Sequence, residues 1–287
     1  MIYVFGDSFA KFFTLIKKDV IQVYSFKGAT MKGIIKPTNQ NRIEIDRIIN
    51  MADKTNLTHV IFVFGQVDIN LSFYYDLCKE DAPMQNTNNH ANKSSAINLN
   101  FESYYDEYIK QYVSWIASIP GKFKRIILAV YPSPLNQKFT INSLANYGSL
   151  TKDKINEHRT QLEFYAQDIV RKARYFEFLY TIEKQYEISR TYNSKGCSGF
   201  NLEFINLNKY LLDNNLNVKS EYLDVSEFNI HIRWEPVIPL LIKELSAIGV
   251  PISSADIVED ILKKESEYIK RKTQKLITNQ DYYAQMN

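Results

Sequence analysis

Ser8 and His231 are the two side chains of this chain whose types and settings could together support nucleophilic chemistry. Ser8 closes the run Ile2-Tyr3-Val4-Phe5-Gly6-Asp7-Ser8, in which four apolar residues break off at a glycine and a polar pair. A buried strand ending this way presents the hydroxyl at a strand-to-helix turn. A serine hydroxyl is a weak nucleophile until a base takes its proton, and imidazole is the natural base near neutral pH. The chain has four histidines. His59 opens an apolar run at what should be the far end of a strand. His90 lies in a polar stretch, and His158 sits on a helical pattern expected to face solvent. His231 alone comes late, after the last strand-like run and beside polar neighbours, so elimination favours it. The plainer alternatives are a helix N-cap for Ser8 and a satisfied structural histidine for His231.

Two residues so far apart in sequence can meet only if the fold carries them to one edge. Short apolar runs at 2–5, 20–25, 59–65, 125–134 and 202–207 read as strands, and the almost wholly apolar 59–65 as one buried on both faces. Helical spacing occupies 9–18, 43–53, 104–119, 154–192 and 234–249. The fourth of these is expected as two helices broken near Ala173–Phe178, and the last admits Pro236 in its opening turn. Alternating strands and helices predict a parallel sheet covered on both faces. Ligands in such sheets bind at the carboxyl ends of the strands. The segments leaving those ends are Gly6-Asp7-Ser8, Ser25 to Gly28, Gly65 to Asn70, Pro132-Ser133-Pro134 and 223–236, which holds His231. Polar and glycine positions therefore collect on one rim.

The 287 residues suffice for one α/β domain, expected over 1–250, with a polar insertion at about 79–100 and a helical extension over 251–287. A net charge of +3 predicts no nucleic-acid partner. Cys78 and Cys197 have no zinc-site or disulfide spacing and read as free thiols of a reducing compartment. The first strand starts at Ile2, leaving no room for a signal peptide, and no apolar run approaches the roughly 20 residues of a membrane span. The expectation is a cytoplasmic protein without a membrane partner. In the extension, Ser253-x-x-Asp256 is a capping pattern. Ile257, Ile261, Tyr268 and Ile269 fall near one face, which either packs on the domain or joins copies into a homo-oligomer.

Taken together, Gly6-Asp7-Ser8, Gly28, the stretch Phe64-Gly65-Gln66-Val67-Asp68-Ile69-Asn70 and His231 resemble the four blocks of the SGNH, or GDSL-like, hydrolases, spread over nearly the whole domain. The resemblance implies a flavodoxin-like three-layer α/β/α sandwich with about five parallel strands. It makes Ser8 the nucleophile, with its backbone N–H and that of Gly28 as oxyanion donors, and His231 the base. Two positions depart from the family pattern. Val67 stands where the family has an asparagine donor, so Gln66 or Asn70 would have to supply that amide. Phe228 stands where the family has the acid three residues before the histidine. Asp224 is the best substitute orienter and Glu227 the other, and a Ser–His dyad helped by a backbone carbonyl is a further arrangement. Asp68 and Asp7 are expected to brace their loops, and Arg233 and Trp234 are candidates to line the pocket. The implied activity is serine ester hydrolysis without metal or organic cofactor, removing acyl (acetyl) groups from a carbohydrate or small ester. The alternatives are an O-acyltransferase using the same site and a decayed glycan-binding or scaffold module.

Overall fold

Five strands pair side by side and all point the same way: β1 (Ile2–Gly6), β2 (Ile21–Ser25), β3 (His59–Val63), β4 (Lys124–Leu128) and β5 (Leu202–Ile205), in the order β2-β1-β3-β4-β5. The structure is a computed structural model and describes residues 1–52, 56–79, 101–135, 137–146, 150–194, 201–224, 230–264, 266–268 and 270–271. Gly6 lies opposite both Ser25 and Val63, so β1, β2 and β3 end level with one another. The chain passes from β1 to β2 on one side and returns to β3 on the other. The carboxyl ends of β1 and β3 therefore flank the point where strand order reverses, which is where open sheets leave a crevice.

Successive strand residues point to opposite faces, and each face has its own core. Val4, Ile61 and Ile126 face the 3-10 helix Ser8–Leu15 and a late helix, while Phe5, Phe62 and Ile127 face three long ones. In chain order the helices are α1 (Met31–Ile34), α2 (Gln40–Met51), α3 (Phe73–Leu77), α4 (Phe101–Ser118), α5 (Gln137–Asn146), α6 (Lys152–Glu157), α7 (Arg159–Ala166), α8 (Asp168–Ser194), α9 (Asn208–Leu211) and α10 (Ile238–Ala247). α10 covers the first face, and α2, α4 and α8 cover the second. The result is a three-layer α/β/α sandwich of the flavodoxin-like kind. A smaller cluster of Phe73, Leu77, Leu144, Leu162 and Tyr165 gathers the helices that follow β3 and β4.

Three of the helical segments read from the sequence differ from that reading. Within residues 9–18 the helix is a 3-10 helix, Ser8–Leu15, that stops at Ile16: Phe9, Ala10, Phe12, Phe13 and Leu15 are all buried, so the segment packs on more than one side. The helical stretch 154–192 is continuous through Ala173–Phe178. It breaks instead at His158 and at Gln167, whose ψ of 139° leaves the helical region. Tyr175, Phe178 and Ile182 keep helical spacing against the sheet, and no glycine or proline interrupts them. In the last helix it is Pro239, not Pro236, that occupies the opening turn.

The start of the extension is sewn to the domain. The Ser253–Asp256 capping box forms. The Lys17 N–H donates to the Asp256 carbonyl at 2.9 Å, and the Val258 N–H donates to the Leu15 carbonyl at 2.8 Å. Ile257 and Ile261 pack against the first core and Tyr268 is exposed. Of the polar insertion, 80–100 lie outside the described residues, as do His90, Cys197, Glu227, Phe228 and Ile269. Among the described residues no helix is long and apolar enough to cross a membrane.

Candidate active site

The Asp7 N–H donates to the Val63 carbonyl at 3.2 Å, carrying the β1–β3 pairing one residue past the strand. The Asp7 carboxylate then accepts the Phe9 N–H at 2.8 Å and starts the 3-10 helix. Between these anchors Ser8 turns outward, and its Oγ lies 2.9 Å from His231 Nε2. Ser8 is thus not itself the cap; Asp7 is. The histidine arrives from the other end of the chain on a loop tied back on itself. Leu223 and Ile232 form an antiparallel bridge, and the Arg233 N–H donates to the Tyr222 carbonyl at 2.7 Å.

Aromatic rings hold the imidazole. Phe9 lies nearly flat on it, with centroids 4.2 Å apart and planes inclined by 22°, and Trp234 meets it edge-on at 6.0 Å. Burial, with a smaller contribution from the charge of Lys11, brings His231 down from 6.5 to about 4, while Asp224 pulls the other way. The ring is therefore neutral at pH 7, the form that can accept a proton. Asp224 is partly buried, and its carboxylate favours the imidazolium that would form on proton uptake.

Gly28 occupies the turn after β2 with φ +75°, the left-handed region, and open space surrounds the position a Cβ would take. Its loop is fastened on both sides. Upstream, Ser25 Oγ donates to the Asp7 carbonyl at 2.9 Å and the Phe26 N–H donates to the Gly6 carbonyl at 2.8 Å. Downstream, the Asp68 carboxylate accepts the N–H groups of Met31 at 2.7 Å and Lys32 at 3.1 Å. Asp68 is buried, and burial brings its carboxyl up from 3.8 to about 6 against the pull of those N–H groups. Asp7 is also raised by burial, with the neighbouring Asp68 charge adding to the effect.

The Gln66 amide is tied to the loop after β4. Its Nε2 donates to the Tyr131 carbonyl at 2.8 Å and its Oε1 accepts the Tyr131 N–H at 3.2 Å, so both ends are committed to the loop after β4. Gln66 thereby braces two loops of the rim. Asn70 Nδ2 donates to the Gln66 carbonyl at 2.9 Å within the helical turn Asp68–Ser72, and its Oδ1 is buried without a hydrogen bond. Its amide is directed along its own turn.

The remaining histidines stay away from this rim or lie outside the described residues. His59 is buried at the start of β3, at the opposite end of the sheet, and burial holds it near 4. His158 caps α6 with its side chain only 18% exposed, which corrects the expected solvent-facing placement. Arg233 is paired with Glu235. Sequence reasoning passed over Phe9 and Tyr131. The only signal for Phe9 was its place directly after Ser8, and for Tyr131 its position where β4 leaves the sheet. Among the described residues no three histidine, cysteine, aspartate or glutamate side chains gather as a metal ion would require.

The chain is thus a parallel α/β sandwich with a hydrogen-bonded Ser–His pair at its topological switch point. No family model matches it, and no curated protein matches it. Among solved structures it is similar to one described as "a putative platelet activating factor from Streptococcus pneumonia", at 11% identity and a TM-score of 0.39, over 93% of this chain and 83% of that one.

Proposed function

We propose that the protein is a serine ester hydrolase of the SGNH type, acting on an acyl ester of a carbohydrate or small alcohol. The observation that carries this reading is the 2.9 Å contact between Ser8 Oγ and His231 Nε2 at the carboxyl end of β1. Ser8 Oγ attacks the ester carbonyl carbon while its proton passes to His231 Nε2. The oxyanion is received by the backbone N–H groups of Ser8 and Gly28. The ester C–O bond breaks, and the leaving alcohol takes the proton from His231. Water, deprotonated by the same imidazole, then attacks the acyl-enzyme and frees the acid and Ser8. Asp224 acts through the imidazole, stabilising its charged form.

The engagement of the Gln66 and Asn70 amides supports a second reading, a binding module with reduced or lost catalysis. It leaves two backbone donors where the family has a third, and one such donor is worth a factor of about 10² to 10³ in rate. Hydrolysis of a p-nitrophenyl ester separates the readings. Turnover in the intact protein that is abolished in Ser8→Ala and His231→Ala supports the esterase. Turnover that is absent, or identical in both variants, contradicts it. The same site runs acyl transfer when a sugar hydroxyl takes the place of water, which an acceptor-dependent product would reveal.

A further inference from the structure

Where β4 leaves the sheet, the loop from Pro132 to Leu135, the start of α8 and the turn around Leu216 enclose a cavity of about 140 Å³, and Leu223 completes its lining. Leu223 is bridged to Ile232, next to His231, and Pro132 follows Tyr131, whose hydroxyl accepts the Ile232 N–H at 3.4 Å. The cavity therefore belongs to the same carboxyl rim as the Ser–His pair, although neither Ser8 nor His231 lines it. Leu216 has φ +63°, the left-handed region, and among the described residues it is the one non-glycine with positive φ. Backbone strain of that kind persists only where the surroundings impose it, and it gathers at ligand sites.

The charged groups of the lining are Asp168, Arg171 and Lys172. The Arg171 side chain is only 10% exposed. Its Nη1 donates to the Leu135 carbonyl and, at 3.1 Å, to Thr140 Oγ1, and its Nη2 donates to the Asp168 carboxylate. Arg171 thus ties the loop after β4 to α8 and offsets the Asp168 charge. Lys172 has a neutral partner, its Nζ donating to the Asn215 carbonyl at 2.8 Å. The Asp213 carboxylate, in the same turn, accepts the N–H groups of Asn215 at 2.8 Å and Asn217 at 2.9 Å, so it is turned into its own loop. The lining is left with one positive charge in surplus, on an ammonium with two donors to spare. Ser133 adds a hydroxyl.

An anion leaves water at least cost where charged donors take the water's place. We propose that this cavity binds an oxyanion, the carboxylate or phosphate of a small ligand, held by Lys172 Nζ and Ser133 Oγ. At about 30 Å³ for each water molecule, its 140 Å³ equals roughly five waters, room for such a group and the carbons next to it. The anion is either borne by the alcohol part of the ester or carried by a separate ligand. In both cases it rests against Leu223 and so bears on the bridge that carries His231. The site does not depend on Ser8 being the nucleophile.

The test is calorimetric titration with inorganic phosphate and with glucuronate at constant ionic strength. The intact protein and Ser8→Ala should show the same single saturable site per chain. Lys172→Met should weaken binding roughly tenfold and Ser133→Ala roughly threefold. Lys184→Met, on the same helix but outside the lining, should bind as the intact protein does. Turnover then tells the two sources apart. A loss in Lys172→Met confined to an acetylated glucuronic acid, with acetylated glucose unaffected, assigns the anion to the substrate. A phosphate-dependent change in p-nitrophenyl acetate turnover that Lys172→Met removes assigns it to a separate ligand. Binding without turnover of any ester sinks the hydrolase reading and leaves this site standing. No saturable binding of either anion, or binding unchanged in both Lys172→Met and Ser133→Ala, overturns the site and leaves the hydrolase reading standing.

Discussion

Phe9 covers one face of His231, its ring centre 4.2 Å from that of the imidazole, although the two are 222 positions apart in the chain. The residue that follows the proposed nucleophile is therefore also a wall of the proposed base. Removing that wall should let water reach the ring and raise its pKa towards the ordinary 6.5. Phe9→Leu is expected to move the acidic limb of kcat/KM upward by about one pH unit, and Phe9→Tyr, which keeps the ring, should restore it. A purely structural role for Phe9 would lower activity at all pH values without moving the limb.

In the intact protein that limb should lie unusually low. The acidic limb of kcat/KM reports the free enzyme's base, and His231 is held near 4 by burial and Lys11. Turnover of a p-nitrophenyl ester is expected to stay near its neutral value down to about pH 5 and to fall only below it. A limb centred near 6.5 would contradict the buried environment assigned to His231.

Stability should respond to pH through His59, which takes no part in the site. Its folded pKa of about 4 lies below the ordinary 6.5, so the unfolded chain binds more protons between those values. The stability it contributes is fully present above 6.5 and is lost as pH falls towards 4. His59→Gln should flatten this dependence by on the order of 2 kcal/mol. Asp68 works in the opposite sense between 3.8 and about 6, because its folded pKa is raised. Denaturant midpoints across that range read the difference between the intact protein and His59→Gln.

Asp68 is the fastening of the Gly28 loop. Asp68→Ala leaves the N–H groups of Met31 and Lys32 without their acceptor. The expected loss is about 1 to 3 kcal/mol, the gain from no longer burying a carboxylate offsetting part of the two lost bonds. Since the same bonds set the approach of Gly28, kcat should fall as well, measured well below the unfolding transition. Unchanged kcat would separate this loop from catalysis.

Two glycines of the rim should differ in what alanine does to them. Gly65 has φ +112°, and a Cβ there would lie 2.8 Å from Phe178 Cζ. Gly28 has φ +75° with open space around that position. Gly28→Ala should cost about 1 to 2 kcal/mol from backbone strain alone, and Gly65→Ala more, because packing is disturbed as well. Equal losses in urea titrations would mean that the Phe178 contact yields freely.

The strands were legible because each is an apolar run stopped by glycine, proline or a polar residue, and burial on both faces leaves few other uses for such a run. The meeting of Ser8 with His231 could be anticipated from the rim that a parallel sheet must form. The breaks at His158 and Gln167 could not, because neither carries a glycine or proline; they are set by packing among the helices that follow β4. Nor could the engagement of Gln66. The direction of its amide depends on the backbone of Tyr131, 65 positions away, and residue type alone does not report it. The π-type turn at Asp68–Ser72 and the short helices α1 and α9 lack the length over which periodicity can be read.

The most direct measurement is covalent labelling with a fluorophosphonate followed by mass spectrometry. Attack by Ser8 Oγ would form the O–P bond and expel fluoride, with His231 taking the hydroxyl proton. The account predicts one adduct per chain on Ser8, absent in Ser8→Ala and much slower to form in His231→Ala. No adduct at all, or an adduct elsewhere that forms equally fast in Ser8→Ala, would contradict it.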